Sequence, residues 1–327
     1  MASRSLEEPD SGSPLCGKRE AGNMAIDPQL LARLQSQMSR ADVILFTGAG
    51  FSAAAQDGTG KKLPTGQSLA AELWALAFPG EPFVGSTRLG DAFFAAKARG
   101  EATLRRFIKN RLSVHTDTVP AWYAVWFSMP WHRCYTVNID DVELAVSRRF
   151  RLPRPIRAIS ATSGRTEGSN DPTALEVVHL NGAVWDELDD MTFSVFDYGR
   201  RLAAPDVSYI ECATALVSRP VLVVGTELEE SPLWQYLEAR RARGRGLREL
   251  RPGSYLVTPS LNPARAVVLR ELNADLITLT AEDFKHQGLT ALGGAVEAGR
   301  AALAALLSLL CTSMPIWSMA GLSSLRR

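Results

Sequence analysis

The chain has 327 residues, of which 46% are apolar, and its 36 lysines and arginines nearly balance its 35 aspartates and glutamates. The net charge of +1 gives no general attraction to nucleic acid or to an anionic membrane, while the apolar fraction is enough for a large buried core. None of the four cysteines lies in a CxxC pair, which excludes a zinc ribbon and favours a reducing cytoplasm.

The first part of the chain predicts a disordered segment, then a helix and a buried strand. Residues 1–23 are polar and lack the apolar run of a secretory signal. Pro28–Ser39 has one apolar side, as a helix does, and Val43–Phe46 is a short apolar strand. A second helix is expected over Ser68–Ala77, and the charged region 83–118 indicates an inserted helical lobe.

The rest of the chain alternates between strands and helices. The expected strands are Trp131–Thr136, Glu176–Leu180, Val221–Val224, Tyr255–Val257 and Leu276–Leu279. The helices expected between them are Asp141–Phe150, Leu233–Arg243 and Pro263–Leu272. This alternation predicts an α/β fold with a doubly wound, Rossmann-like and mostly parallel sheet. Because ligands bind such a sheet outside the carboxyl ends of its strands, four strand ends are expected to surround one crevice.

Two segments have an unusual composition. Arg240–Arg251 is rich in arginine, but flanking glutamates indicate a solvated helix end, so no direct nucleic-acid binding is expected. Residues 301–325 carry no charge and are long enough to span a bilayer, but Pro315 and several serines interrupt them. A packing helix, or a junction to a missing domain, is favoured there over a membrane anchor.

The turn after the first strand, Gly48-Ala49-Gly50, suits the close approach of a pyrophosphate. With Ala53 it fits the loose dinucleotide fingerprint GxGxxA, which is weak evidence alone. A hydride-transferring enzyme also needs a second strand that ends in an acidic residue about 20 positions later, and the nearest candidate, Glu72, lies in a helix-like run. No GK[ST] follows, which excludes a Walker loop.

Polar residues follow three later strands. Asn138 and Asp140 place an amide and a carboxylate at the crevice, although Asp140 also suits the N-cap of the next helix. His179 ends an apolar strand and suits a general base near neutral pH, although a histidine at a strand end is often structural. Gly225-Thr226 ends a further strand, where Gly-Thr is also a frequent turn.

In this order and spacing the motifs GAGxS, TxNxD, HxxG and GT closely resemble the sirtuin family. The resemblance covers about Ala41 to Phe284. It implies a NAD-binding catalytic domain over 24–287, followed by an apolar C-terminal helix and tail over 288–327. Sirtuins bind NAD at the strand ends and break its nicotinamide–ribose bond, so NAD is the expected substrate.

The resemblance also implies a role for each matching residue. Asn138 and Asp140 would hold the nicotinamide ribose and the attacking water, and His179 would be the base. The residues implied on the phosphate and adenosine side are Gly48, Ala49, Gly50, Ser52, Gly225, Thr226 and Thr258.

The chain departs from deacylating sirtuins in three places. Ala53–Gly58 replaces a GIPxFR-type segment, the four-cysteine zinc module is absent, and Glu227 stands where a serine is expected. These departures resemble the sirtuin-like domains of bacterial antiphage proteins, which hydrolyse NAD. The leading hypothesis is therefore a zinc-free, cytoplasmic NAD hydrolase that forms a homo-oligomer and works with a sensor domain or protein partner. The alternatives are a NAD-dependent protein deacylase or ADP-ribosyltransferase, and a non-catalytic nucleotide-binding or oligomerising domain.

Overall fold

The apolar runs of the sequence form one eight-stranded sheet in the computed structural model, which describes residues 26–226, 228, 233–237, 252–270 and 273–313. The strands are β1 (Ile44–Thr47), β2 (Cys134–Thr136), β3 (Ile156–Ser160), β4 (Thr166–Gly168), β5 (Leu175–His179), β6 (Val221–Val224), β7 (Ser254–Val257) and β8 (Ala274–Ile277). Their order is β4-β3-β5-β2-β1-β6-β7-β8, and every neighbouring pair is parallel except β3 and β4. The predicted mostly parallel α/β sheet is confirmed.

Helices cover the sheet and extend beyond it. They are α1 (Pro28–Met38), α2 (Ala49–Ser52), α3 (Gly66–Ala77), α4 (Leu89–Arg99), α5 (Glu101–Leu112), α6 (Trp122–Phe127), α7 (Val142–Arg149), α8 (Val195–Leu202), α9 (Val207–Ser218), α10 (described over 233–237), α11 (Pro263–Arg270), α12 (Ala281–Phe284) and α13 (Gly294–Ser313). Neighbouring residues of β1 enter different cores: Leu45 packs with one apolar cluster, and Ile44 and Phe46 pack with another. Both faces of the sheet are therefore buried, which is why its central strands are apolar throughout.

Strand β1 lies where the chain changes direction across the sheet. The strands that follow it in sequence, up to β5, lie on one side of β1, whereas β6, β7 and β8 lie on the other. A crevice forms at such a switch point because the connections leave the sheet on opposite sides. The ligand site is therefore expected between the loops that follow β1 and β6.

The helical lobe lies between β1 and β2, and its apolar core also includes residues from the loops after β2 and β5. That core joins α3, α4 and α5, so it includes Leu69 and Leu73, which precede the predicted insert 83–118. Arg111 of α5 forms ion pairs within the lobe. Its guanidinium donates to both Glu72 oxygens at 2.8 and 3.0 Å and to Asp57 Oδ2 at 3.0 Å. The lobe is thus one packed unit whose helices α3 and α5 are cross-linked by charge.

Several elements differ from the sequence prediction. The last strand is Ala274–Ile277 rather than Leu276–Leu279, and the second begins at Cys134 rather than at Trp131. Trp131 is buried in a turn instead, where its indole Nε1 donates to the carbonyl of Trp126 at 2.6 Å. Strands β3 and β4 and helices α6, α8 and α9 were not anticipated; Arg157 interrupts the apolar run of β3.

The C-terminal helix α13 packs against α1, where Gly299 lies so close to the Met38 carbonyl that an added Cβ would be 2.2 Å from it. Among the described residues no single helix is long and apolar enough to cross a membrane. One bent pair, Ala281–Leu292 with Gly294–Leu309 at 76°, meets that test of length and composition together. The predicted disordered segment 1–23, Glu227, the arginine-rich stretch from 240 and most of the uncharged tail lie outside the described residues.

Candidate functional site

A pocket of about 580 Å³ opens between the carboxyl ends of four strands and the helical lobe. Its volume is within the range of pockets that hold small ligands and nucleotides. The sheet side is formed by the loops after β1, β2, β5 and β6, and the lobe contributes Leu69, Leu89 and Leu112. Its position at the switch point is the one expected for a ligand site in a doubly wound sheet.

The register of the sheet explains which residues reach the pocket. The last residues of the four strands form one level row, through the pairs Thr47 with Thr136, Thr136 with His179, and Thr47 with Val224. Two positions further along each chain lie the residues that line the pocket: Ala49, Asn138, Asn181 and Thr226. Val137 and Gly225, one residue beyond β2 and β6, also line it, so the pocket begins one or two residues beyond the strand ends.

Glycines allow the loops after β1 and β6 to interlock. Gly225 has φ +72°, and a Cβ there would lie 2.1 Å from the backbone nitrogen of Phe51. A Cβ on Gly48 would lie 2.4 Å from Thr226 Cβ. The amides of Gly48 and Gly50 donate to the carbonyls of Val224 and Gly225 at 3.0 and 2.8 Å. Both glycine amides therefore stabilise the crossing of the loops and do not point at a ligand.

Asp140 carries the only charged side chain among the described residues that line the pocket. Its Oδ1 accepts a hydrogen bond from Ser52 Oγ at 3.0 Å and one from the Val142 amide at 3.3 Å, at the start of α7. Asn138 Nδ2 in turn donates to Ser52 Oγ at 2.9 Å. Ser52 is buried behind the pocket, so it holds the amide and the carboxylate in place rather than lining the cavity. Asp140 therefore lines the crevice and accepts from the first amide of α7, but the N-cap of this helix is Asp141 and not Asp140.

Burial changes the proton affinity of two neighbouring carboxyl groups. Burial raises the pKa of Asp140 to about 7, and the adjacent Glu143 adds to the rise, whereas the bond from Ser52 and the charge of His179 oppose it. Burial also raises the pKa of Asp141 to about 6, against the opposing hydrogen bond from the Val114 amide. Only Asp140 lines the pocket, so it is the group that would exchange a proton there near neutral pH.

His179 lies in the row below the pocket and does not line it, which corrects the expected placement of this residue. Its side chain is 0% exposed, and both ring nitrogens are engaged. Nδ1 lies 2.9 Å from the Asn138 carbonyl oxygen, and Nε2 lies 3.0 Å from Glu143 Oε1. A ring enclosed in this way has no free nitrogen to accept a proton from a ligand or water in the pocket.

Asn181 takes the pocket position that was expected for the histidine. Its Oδ1 accepts a hydrogen bond from Tyr209 at 2.7 Å, and its Nδ2 lies 3.3 Å from the hydroxyl of Tyr198, which also lines the pocket. The sequence motifs assigned no role to Asn181. The strand-end register is the signal that identifies it, because Asn181 is two residues beyond β5 just as Asn138 is two beyond β2.

The phosphate-side residues divide into three groups. Ala49, Gly50, Gly225 and Thr226 line the pocket. Gly48 and Ser52 lie behind it and shape the loops. Thr258, one residue after β7, does not line the pocket, and its hydroxyl donates to the Ser260 carbonyl at 2.8 Å. The structure therefore brings together most of this set but not Thr258.

The pocket is poor in the groups that hold metals and phosphates. Within the described part of the chain, no three His, Cys, Asp or Glu side chains are grouped to hold a metal ion. No lysine or arginine is among the described residues that line the cavity.

A comparison of the chain with protein-family models and with curated proteins finds no match.

Proposed function

We propose that the pocket binds NAD and that the chain hydrolyses its nicotinamide–ribose bond. The observation that carries this proposal is the level row of strand ends around one pocket, which a buried carboxylate, Asp140, lines together with the amides of Asn138 and Asn181. As nicotinamide leaves, the ribose carbon gains positive charge, and a fixed carboxylate and amide oxygens stabilise that charge. The sirtuin resemblance supports the same reaction.

The proposed reaction assigns the proton transfer to Asp140 instead of His179. Water forms the new bond to the anomeric carbon, and the electrons of the broken carbon–nitrogen bond leave with nicotinamide. The water proton passes to the Asp140 carboxylate and then to solvent, so the products are ADP-ribose, nicotinamide and one proton. Ser52 Oγ donates to the carboxylate at 3.0 Å and accepts from Asn138 Nδ2 at 2.9 Å. Asn181 and Tyr198 supply the polar wall across the pocket.

A non-catalytic nucleotide-binding domain is the second candidate, and one observation favours it. No histidine is among the described residues that line the pocket, so the site lacks the base that the family resemblance implied. In that case the pocket residues Asn138, Asn181 and Thr226 would bind the nucleotide without cleaving it. An antiphage role, a sensor partner and a homo-oligomer remain predictions from the resemblance.

The test is to incubate the purified protein with NAD, with and without an acetyl-lysine peptide, and to follow nicotinamide and ADP-ribose. Release without the peptide supports the hydrolase, and release only with the peptide supports the deacylase. NAD binding by calorimetry without release supports the non-catalytic candidate. The measurements are made over a range of protein concentrations, so that a self-associated form is also tested. The proposal is contradicted if the protein neither binds NAD nor releases nicotinamide at any of these concentrations.

A further inference from the structure

The buried pair of Glu143 and His179 is unexplained by the proposed chemistry, because neither side chain lines the pocket. The side chains are 2% and 0% exposed, and their hydrogen-bonding atoms are 3.0 Å apart. Burying two ionisable groups is unfavourable unless each stabilises the other and their remaining hydrogen-bonding atoms are satisfied. A buried pair of this kind beside a ligand pocket calls for a structural or functional reason.

The contacts around the ring point to its protonation state. Nδ1 faces a backbone carbonyl oxygen, which can only accept, so this nitrogen carries a hydrogen and donates to Asn138. Nε2 faces the carboxylate of Glu143, and an ionised carboxylate also only accepts. The indole ring of Trp185 packs against the imidazole, with the two ring centres 5.0 Å apart. A ring between two acceptors is satisfied fully when both nitrogens carry hydrogens.

We propose that His179 is a doubly protonated positioning residue, paired with Glu143, which holds the Asn138 backbone and thereby sets the loop that presents Asn138 and Asp140 to the pocket. The protonation state stands independently of the proposed function. Only its effect on turnover rests on NAD hydrolysis.

The charges around the ring agree with this assignment. Burial lowers the pKa of His179, but the Glu143 carboxylate, the Asn138 carbonyl and the Asp140 charge together raise it above its usual value. The charged and polar groups come from α7 and from the loop between β2 and α7, and the loop after β5 contributes the uncharged Trp185. The imidazolium in turn lowers the pKa of Asp140, which burial and Glu143 raise. The pair therefore also moderates the proton affinity of the pocket carboxylate.

The first experiment is nitrogen-15 NMR of the histidine rings in the folded protein between pH 6 and pH 8. The His179 signals are assigned by their loss in His179→Gln, and His132→Gln is the matched control, since His132 is a partly buried histidine outside the pocket. We expect both ring nitrogens of His179 to be protonated throughout. An unprotonated Nε2 at neutral pH, which would mean that Glu143 holds the proton, would overturn the proposal whether or not NAD is cleaved.

The second experiment separates a positioning residue from a base. In His179→Gln the rate of NAD hydrolysis is expected to fall about tenfold, while its rise with pH remains and moves to higher pH, because the imidazolium no longer lowers the pKa of Asp140. Loss of a general base would instead reduce the rate by about 10²–10⁴-fold and would remove that rise. The larger loss of rate without a rise with pH would overturn the positioning role. An unchanged rate with an unchanged pH profile would also overturn it, because the pair would then have no effect on the site. His132→Gln should retain the wild-type rate.

Discussion

At the scale of single residues, the site depends on a carboxyl group that the fold makes costly to ionise. Asp140 is 7% exposed, and both of its described hydrogen bonds end on one oxygen, Oδ1. No described hydrogen bond ends on Oδ2, and the residue lines the pocket. A group held in this way is typical of a functional carboxylate, because a purely structural role would engage both oxygens.

Asp140→Asn is expected to abolish NAD hydrolysis and to stabilise the protein at alkaline pH. The folded-state pKa of about 7 lies above the ordinary 3.8, so folding favours the protonated form and stability is lost as the pH rises between these values. The neutral amide of asparagine does not ionise, so the variant does not lose stability as the pH rises. Its side-chain oxygen can still accept both hydrogen bonds. We expect a gain of about 1–3 kcal/mol at pH 8 and none at pH 4, measured by urea unfolding.

Asp141→Asn is the matched control, because Asp141 is also buried but accepts from the Val114 amide at 2.7 Å and does not line the pocket. It should keep NAD hydrolysis. Undiminished hydrolysis in Asp140→Asn would remove Asp140 from the mechanism.

The rate of NAD hydrolysis is expected to rise with pH and to level off above about 7. Only the ionised form of Asp140 can accept the water proton, and its pKa is about 7. Below that value the rate should fall about tenfold per pH unit. The measurement is kcat/KM from pH 5 to 8.5. A flat profile over this range would exclude a titrating base in the pocket.

The site residues were predicted from the sequence by one rule, which is that ligands bind at the carboxyl ends of parallel strands. The rule correctly brought Asn138, Asp140 and the loop after β1 to one pocket. It did not decide how far past the strand end a side chain must lie, which depends on register between distant strands. His179 has the chemistry of a base but is the last residue of β5, where α7 still covers it, whereas Asn181 has passed the sheet edge.

At the scale of elements, the crossing of the loops after β1 and β6 fixes the shape of the pocket. The glycine turn was interpreted from the sequence as a phosphate cradle. Its two glycine amides are used between the loops instead, and its lack of side chains serves backbone packing. The sequence identifies such a turn but does not reveal what approaches it, because the partner loop lies about 175 residues away in the chain.

Gly225→Ala is expected to destabilise the protein by about 2–4 kcal/mol and to weaken NAD binding. The substitution combines a positive φ of +72° with a Cβ 2.1 Å from the Phe51 nitrogen, so the two loops must separate. The matched control is Gly199→Ala in α8, where nothing lies within 4 Å of an added Cβ. Chemical denaturation and NAD calorimetry measure both effects. Equal stability of the two variants would contradict the interlocked arrangement.

The element boundaries show which patterns the sequence could resolve. The central strand β6, which is wholly apolar, was predicted with its observed limits. Strand β3 was missed because Arg157 interrupts its run, and the antiparallel β4 was missed because Thr166–Gly168 is exposed and carries no apolar pattern. Of these two, only β4 is an edge strand, and it buries little, so its sequence is weakly constrained and weakly informative.

At the scale of the whole molecule, the helical lobe completes the pocket by covering the strand ends. Leu69 and Leu112 line the cavity from α3 and α5, and the adjacent Arg111 joins these helices through Glu72. Asp57, which is 2% exposed, also accepts from the Thr59 amide and hydroxyl and from the Lys61 amide. The wall of the pocket is therefore held by an ion-pair network outside it.

Arg111→Met is expected to cost about 2–4 kcal/mol and to raise the KM for NAD. Removing one partner of a buried ion pair leaves the other charge uncompensated, although the donors around Asp57 reduce the loss. The double variant Arg111→Met with Asp57→Asn should recover part of the stability, since no buried charge is then left unpaired. Differential scanning calorimetry and steady-state kinetics provide the measurements. If the double variant is no more stable than the single one, the ion pair is not the cause.

The charge of the pocket has a consequence for the end of the proposed reaction. The described lining offers one carboxylate and no lysine or arginine. The nicotinamide ring is a cation while it is attached to ribose and becomes neutral on departure, so its attraction to Asp140 ends when the bond breaks. The diphosphate charge is the same in NAD and in ADP-ribose, so the change of charge on cleavage is confined to the nicotinamide end of the ligand. If the chain cleaves NAD as proposed, this change would weaken the attraction between the pocket and the departing nicotinamide and would favour its release.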